Sequence, residues 1–353
     1  MNPPRVSSTH VVPLHILVVR LGSMGDVIAA LPAVASLKHS IPHSKIAWVI
    51  DPKWSLLLEG NPYVDSVVHL DRRTFTGLRH AWRELRASRF DFAVDFQGLV
   101  KSALVATLAR PERIFGFNAD YARESPASWF YSTKVPIRSY HAVERNLDLA
   151  AAAGASNILR TFPLPPGECQ AKLPEGDFVL ASPLAGWGAK QWPLEYYAKL
   201  AERLERECGM PLVLDAPYPL HVPGTRTHVS TLAGLIYATR RATAVVGLDS
   251  GPLHLAAALS KPGVAIYGPT DPVRHGPYGA TITVLRSPDA VITYRRTAEP
   301  DASMREITPD RVFDALAPML AAGAAQARHT GTAPARAAHT GAAHTGALHK
   351  KDR

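Results

Sequence analysis

What most constrains this chain is a repeating cadence: a short apolar run, a turn, then apolar residues at helical spacing. Residues 16–19 form the first run, Gly22-Ser23-Met24-Gly25-Asp26 the turn, and Val27, Ile28, Leu31, Val34 and Leu37 the helical series that follows. Such a run reads as a strand and the series as a helix packed on it. The cadence returns at 46–50, 67–70, a helical stretch over 78–87, and 92–96. Strands alternating with helices imply a parallel sheet covered on both faces. Residues 1–160 are therefore expected to form one α/β unit.

At 353 residues and 38.2 kDa the chain is too long for one comfortable core, so a second unit is expected. Over 161–176 the sequence is dominated by prolines, which preclude both helix and central strand, and this segment reads as a linker. The alternation resumes with apolar runs at 178–182, 211–214, 244–248 and 263–267, separated by helical patterns at 194–206 and 231–240. A second α/β domain over 177–307 follows. Thr308 and Pro309 then suit the N-cap and first position of a closing helix over 308–322. From 323 to 353 the triplet His-Thr-Gly recurs among Ala and Gly, a composition expected to stay disordered.

Hydrophobic residues at 46% exclude a wholly disordered chain, and 20% charged residues do not suit a coiled coil. The net charge of +9 raises nucleic acid, an anionic membrane or a phosphorylated substrate as partners. Its location narrows the choice: +4 lies on the 323–353 tail and +6 on residues 1–160. Arg72, Arg73, Arg79, Arg83, Arg86 and Arg89 crowd one stretch, which is either a solvated helix face or a surface for a multiply anionic partner. Two cysteines, Cys169 and Cys208, without a CxxC pair or a metal-spaced Cys/His set, argue against a disulfide scaffold and a structural zinc site. The N-terminal apolar run is too short for a signal segment or a membrane span, so a cytoplasmic location is expected.

Three turns could carry chemistry. The first, Gly22 to Asp26, sits where α/β domains hold ligands, but Gly-x-x-Gly-Asp is neither GxGxxG nor a P-loop, which disfavours a dinucleotide. Asp26 there is a helix cap or a general base. The second, Ala185-Gly186-Trp187-Gly188-Ala189-Lys190, is a Gly-rich loop that can wrap a phosphate and place a lysine on it, or else a plain surface loop. The third, Asp249-Ser250-Gly251-Pro252-Leu253-His254, ends a buried strand and opens a helix whose free N–H groups suit an anion. His254 lies one turn in. Tyr267-Gly268-Pro269-Thr270-Asp271-Pro272 would flank that pocket, although turn chemistry alone accounts for it.

Taken in order, these turns together with Asp95-Phe96-Gln97-Gly98-Leu99-Val100-Lys101-Ser102-Ala103, Ala122-Arg123-Glu124, His141-Ala142-Val143-Glu144-Arg145 and Lys190-Gln191-Trp192-Pro193 resemble glycosyltransferase family 9, the heptosyltransferases. The 95–103 and 141–145 stretches resemble its type I members in particular. The resemblance implies a GT-B fold, two Rossmann-like domains facing a cleft with acceptor on the first and nucleotide sugar on the second. It implies inverting transfer of L-glycero-D-manno-heptose from ADP-heptose to the Kdo of Kdo2-lipid A, with no metal and no other cofactor. Asp26 would be the base and Lys190 the partner of the leaving diphosphate. Ser23, Gly25, Asp249, Ser250, Gly251 and His254 would meet the donor, and Arg72, Arg73 and Arg123 the anionic acceptor. The same basic face would favour peripheral association with the anionic inner membrane.

Three departures from the family pattern stand out. The segment between Arg73 and Phe92 is short, Ala185 and Gly186 stand where hydroxyl residues are usual, and the acidic ribose ligand has no counterpart unless Asp215 serves. Other readings are a family 9 transferase for another acceptor or sugar, and a non-catalytic nucleotide-sugar or nucleic-acid binding protein. Against nucleic acid, no basic motif is interleaved with aromatics.

Overall fold

The computed structural model describes residues 13–293 and 295–329, with side chains as far as 322. It contains two parallel sheets of six strands each. The first is built from β1 (His15–Val19), β2 (Lys45–Ile50), β3 (Ser66–His69), β4 (Phe92–Asp95), β5 (Arg113–Phe117) and β6 (Thr133–Val135), in the order β3-β2-β1-β4-β5-β6. The second uses β7 (Val179–Ala181), β8 (Leu212–Ala216), β9 (Thr225–Val229), β10 (Ala244–Leu248), β11 (Gly263–Tyr267) and β12 (Ile282–Arg286), in the order β12-β11-β10-β7-β8-β9. Numbered from its own first strand, the second sheet repeats the order of the first. Both are doubly wound, and the strand order reverses between β1 and β4 in one and between β7 and β10 in the other.

The helices are α1 (Met24–Ser40), α2 (Phe75–Ala87), α3 (Val100–Leu108), α4 (Ala142–Ala152), α5 (Leu194–Cys208), α6 (Leu232–Arg241), α7 (Gly251–Ala258), the short α8 (Pro272–His275) and α9 (Ala302–Arg305), and α10 (Pro309–His329). Strand β1 shows why its sequence is continuously apolar. Ile16 and Val18 enter the core under α1 and α4, while Leu17 and Val19 enter the opposite core under α2 and α3. A strand buried on both faces has no polar side to show. Helix α1 also packs against α7 of the second sheet's layer, so it is buried almost all round even though it carries Pro32.

Residues 161–176 have no regular structure, in keeping with their prolines, and Arg240 of α6 donates to the Leu164 and Pro165 carbonyls. Thr308 caps α10, accepting from the Arg311 N–H at 3.3 Å. That helix continues to His329 rather than ending at 322. The extension is rich in alanine, the strongest helix former, which prevails over the single glycine. The rest of the predicted disordered tail, 330–353, lies outside the described residues. Among the described residues no helix is long and apolar enough to cross a membrane.

Candidate active site

Both reversal points open onto one cleft. Its inner cavity, about 340 Å³, is lined by Asp26, Arg123 and His141 from the first half and by Trp187, Lys190, Asp249, Ser250 and His254 from the second. A wider outer cavity of about 800 Å³ is lined by Arg72, Gln97 and Lys101 on one side and by Ala185, Gly186 and Pro252 on the other. Ser23, Asp26, Arg123, Trp187, Lys190, Ser250 and Gly251 line both. Asp26 thus stands where the two compartments meet.

The two local readings of Asp26 turn out to be compatible. Its Oδ2 accepts from the Ser23 N–H at 3.0 Å and from the Ser23 hydroxyl at 3.2 Å, the reciprocal bond of a helix cap. Its Oδ1 meets Arg20 Nη2 at 2.5 Å, and Arg123 Nη1 lies 3.3 Å from Oδ2. Removal from bulk water opposes ionisation, but the two guanidiniums and the Ser23 N–H outweigh it and hold the carboxyl below its ordinary range. The group is ionised at neutral pH. Its carboxylate still keeps about a quarter of its surface open, at 27% side-chain exposure.

Arg20 was not among the predicted site residues. It is 6% exposed, its Nη1 donates to the Phe96 carbonyl, and the Trp48 indole donates to its own carbonyl at 3.1 Å. Beneath it Asp95, fully buried, accepts from Ser102 Oγ and Tyr131 Oη at 2.7 Å each and from the Gln97 N–H at 2.9 Å. Gln97 in turn accepts from the Leu21 N–H at 2.7 Å. Burial raises the Asp95 pKa despite these bonds. The 95–103 stretch is therefore a brace that fixes the end of β1, and with it Arg20 and the turn bearing Asp26.

On the facing side Lys190 closes a 3₁₀ turn, Gly188–Lys190. Its ammonium donates to Asp249 Oδ2 at 2.7 Å and to the Asp249 carbonyl at 3.0 Å, and lies 4.1 Å from the Trp187 ring centroid. The segment around 298 folds over this turn so closely that a Cβ on Gly188 would lie 1.7 Å from the Ala298 oxygen. Three buried polar atoms in the cavity wall, Trp187 Nε1, Ser250 Oγ and Thr270 Oγ1, have no hydrogen-bond partner among the described residues. Unsatisfied groups gathered at one wall, beside the Ser250 and Gly251 N–H groups at the start of α7, mark a surface made for a polar ligand.

Glycines bring the two halves together. A Cβ on Gly25 would lie 2.4 Å from the His254 ring, and one on Gly251 would lie 2.7 Å from Met24 Sδ. The amino ends of α1 and α7 therefore abut across the cleft, and both present the positive pole of a helix there. Burial drives the His254 pKa below its ordinary value, against the pull of Asp249 and Asp26, so the ring is neutral at pH 7.

The sequence matches the profile of glycosyltransferase family 9 (heptosyltransferase) over residues 78–217 and 226–299. The chain belongs to glycosyltransferase family 9. Lipopolysaccharide heptosyltransferase 1 of Pseudomonas aeruginosa is 30% identical over 311 residues, 78% of this chain and 84% of that protein. Its counterpart in Escherichia coli K12 is also 30% identical, over 78% of this chain and 94% of its own length. Among solved structures, E. coli heptosyltransferase WaaC with ADP superposes with a TM-score of 0.72 at 27% identity, covering 87% of this chain and all of that one. The protein is thus a glycosyltransferase with two Rossmann-like domains.

In this family 9 enzyme the 141–145 motif fastens the halves together, with His141 also lining the inner cavity. His141 caps α4, its Nδ1 accepting from the Val143 N–H at 3.2 Å while Nε2 lies 3.1 Å from the Gly276 carbonyl, a pairing that requires the neutral Nε2–H tautomer. Tyr140 donates to Asp271 at 2.8 Å, and Glu144 receives both Arg160, at 3.0 and 3.1 Å, and the Tyr278 hydroxyl. The turn at 267–272 contributes Asp271 to this strap and Thr270 to the cavity wall.

The predicted acceptor arginines separate. Arg123 reaches Asp26, and Arg72 lines the outer cavity while leaning 3.4 Å from Asp51. Arg73 is exposed outside both linings. Asp215 is not free for a ribose: it is buried at the end of β8 and accepts from Ser230 at 2.7 Å with His228 Nδ1 at 2.7 Å. Arg296, which lines both cavities with its guanidinium 5.1 Å from the Trp187 ring, gave no signal, since it falls in a stretch without periodicity. The described residues hold no cluster of three or more His, Cys, Asp or Glu suited to a metal ion.

Proposed function

We propose that this enzyme transfers L-glycero-D-manno-heptose from ADP-heptose to the Kdo of Kdo2-lipid A with inversion, working on the cytoplasmic face of the inner membrane during lipopolysaccharide inner-core synthesis. The observation that carries the reading is the position of Asp26, an ionised carboxylate shared by both cavities and opposed by Lys190, Asp249 and the start of α7. Heptose transfer itself accords with the curated relatives. The donor's diphosphate belongs against Lys190, Ser250 and the α7 N–H groups, and its sugar beside Asp249. The acceptor belongs in the outer cavity with Arg72 and Arg123.

Asp26 takes the proton as the acceptor oxygen bonds to the anomeric carbon, while the carbon–oxygen bond to the diphosphate breaks and its electron pair leaves with ADP. Attack from the face opposite the leaving group inverts the centre. A depressed pKa makes Asp26 a modest base, yet it guarantees the unprotonated form, and transfer is concerted with bond formation. Arg123 is half exposed and holds the same oxygen that must take the proton. An anionic acceptor drawing Arg123 away frees that oxygen at the moment it is needed. Lys190 and the helix pole meet the charge growing on the leaving group, where preorganised positive groups contribute most.

The test is ADP release with Kdo2-lipid A measured beside an already heptosylated acceptor. Turnover of the first alone supports the reading, and turnover of the second alone assigns a different family 9 acceptor. ADP-heptose binding without turnover of either would overturn catalysis.

A further inference from the structure

We infer that the layer formed by α2, α3 and the 125–130 turn docks this enzyme on an anionic phospholipid bilayer by inserting aromatic and aliphatic side chains. The inference rests on the reading that the acceptor is a membrane glycolipid. This layer covers one face of the first sheet with Ala81, Leu85, Ala103, Ala106 and Ala127 turned inward. Turned outward are Phe75 at 80% exposure, Trp82 at 48% and Trp129 at 78%, with Leu78, Leu104 and Leu108 each more than two-fifths exposed. No other layer of the described molecule exposes such a concentration of large apolar groups, whereas scattered single ones would need no account.

Helical spacing organises the set. Phe75, Leu78 and Trp82 stand at i, i+3 and i+7 on one flank of α2, and Leu104 and Leu108 at i and i+4 on α3. Next to the α2 stripe lie Arg79, Arg83 and Arg86, all exposed and without an ion pair among the described residues. The one acidic residue of α2, Glu84, sits on the opposite side, 3.8 Å from His80. An apolar stripe bordered by guanidiniums is the pattern of an interfacial helix on anionic lipid, with arginine at the headgroups and aromatics beneath them. Position agrees with this occupant. Arg72, just before α2, and Leu99 and Lys101, at the start of α3, line the outer cavity, so both helices set out from its rim. A bilayer against this layer would present a lipid-anchored acceptor beside the cavity mouth.

The test compares the full chain with a variant carrying Phe75→Ser, Leu78→Ser, Trp82→Ser and Trp129→Ser, all partly or largely exposed positions. Sedimentation with vesicles of phosphatidylethanolamine and phosphatidylglycerol should show binding of the parent that weakens at least about tenfold in the variant, with little binding of either to phosphatidylcholine vesicles. Turnover of a deacylated, water-soluble acceptor should be equal in the two proteins, which shows that the variant is folded. Equal vesicle binding by parent and variant overturns the proposal. So does a lipid-free dimer of the parent that the variant loses, since the layer would then be an interface between copies. Absence of turnover on every acceptor would defeat the functional reading while vesicle binding still reports on the layer.

Discussion

An aspartate closes the fourth strand of each half of the molecule, as its last residue in the first half and as the next residue in the second, and the two have opposite fates. Asp95, the last residue of β4, is sealed inside, bound by two hydroxyls and two backbone N–H groups, and its pKa is raised by burial. Asp249, just after β10, lines the inner cavity and is paired with Lys190. The first strands differ in a complementary way, since the β1 turn presents a carboxylate held by arginines and the β7 turn a lysine. On the proposed reading, one topology thus supplies a proton acceptor from one half and positive charge from the other. The fold fixes where chemistry occurs, and residue choice at four strand ends fixes which chemistry each half performs.

The sharpest way to break this contrast is Asp26→Asn, which keeps shape and removes the proposed base. Transfer should fall by about 10²–10⁴-fold, while ADP binding by calorimetry stays near the parent value because the second half is untouched. Next in size is Lys190→Ala, with a loss of about 10²–10³ in kcat and weaker donor binding, because Asp249 is left without its cation. If both variants lost donor binding equally, the division of labour would be wrong.

Arg20→Gln sharpens the comparison within the first half. The charged or titratable groups around Asp26 are Arg20 from the end of β1, Arg123 from the loop after β5, and a neutral His254 from α7. Removing Arg20 lets the carboxyl rise toward its ordinary range, so the acidic limb of kcat/KM should move to higher pH. Rate at neutral pH should fall about tenfold, and Arg20→Lys should recover most of both effects. The same sign applies to stability. A carboxyl depressed in the folded state stabilises above its unfolded pKa of about 4 and loses that contribution as pH falls through the folded value. An unchanged pH profile in Arg20→Gln would reduce Arg20 to packing.

Most of this architecture was legible because buried parallel strands announce themselves as unbroken apolar runs. Strand β9 was not, as its sequence, Thr-Arg-Thr-His-Val, exposes every residue but His228 to a large or partial degree at the sheet edge. The turns bearing Asp26, Lys190 and Asp249 were legible because points where strand order reverses need glycine and free N–H groups. Arg20 was hidden, since a lone arginine ending an apolar strand reads as a solvent boundary, and only the fold reveals that its guanidinium turns inward to Asp26. Asp215 misled in the other direction: its partners His228 and Ser230 lie on a strand and turn that the sequence pattern did not suggest. The strap through Tyr140, His141 and Glu144 was visible as a motif but not as a function, because its partners stand more than a hundred residues away.

The smallest predicted effect tests whether Asp95 is only a brace. Tyr131→Phe removes one of four donors to a buried carboxyl and leaves the ring, so the cost should be about 1–3 kcal/mol of stability, seen as a lower midpoint in denaturant with an unchanged slope. Because Asp95 reaches neither cavity lining, kcat on a soluble acceptor should not change. The raised Asp95 pKa adds a second signature. A carboxyl whose folded value is raised contributes stability below that value and loses it as pH rises through it. Tyr131→Phe removes a bond that favours the ionised form, so the stability loss should be larger at neutral pH than in mild acid. A fall in kcat with stability intact would instead place Asp95 beside Asp249 as a working group, and the opposition between the two strand ends would fail.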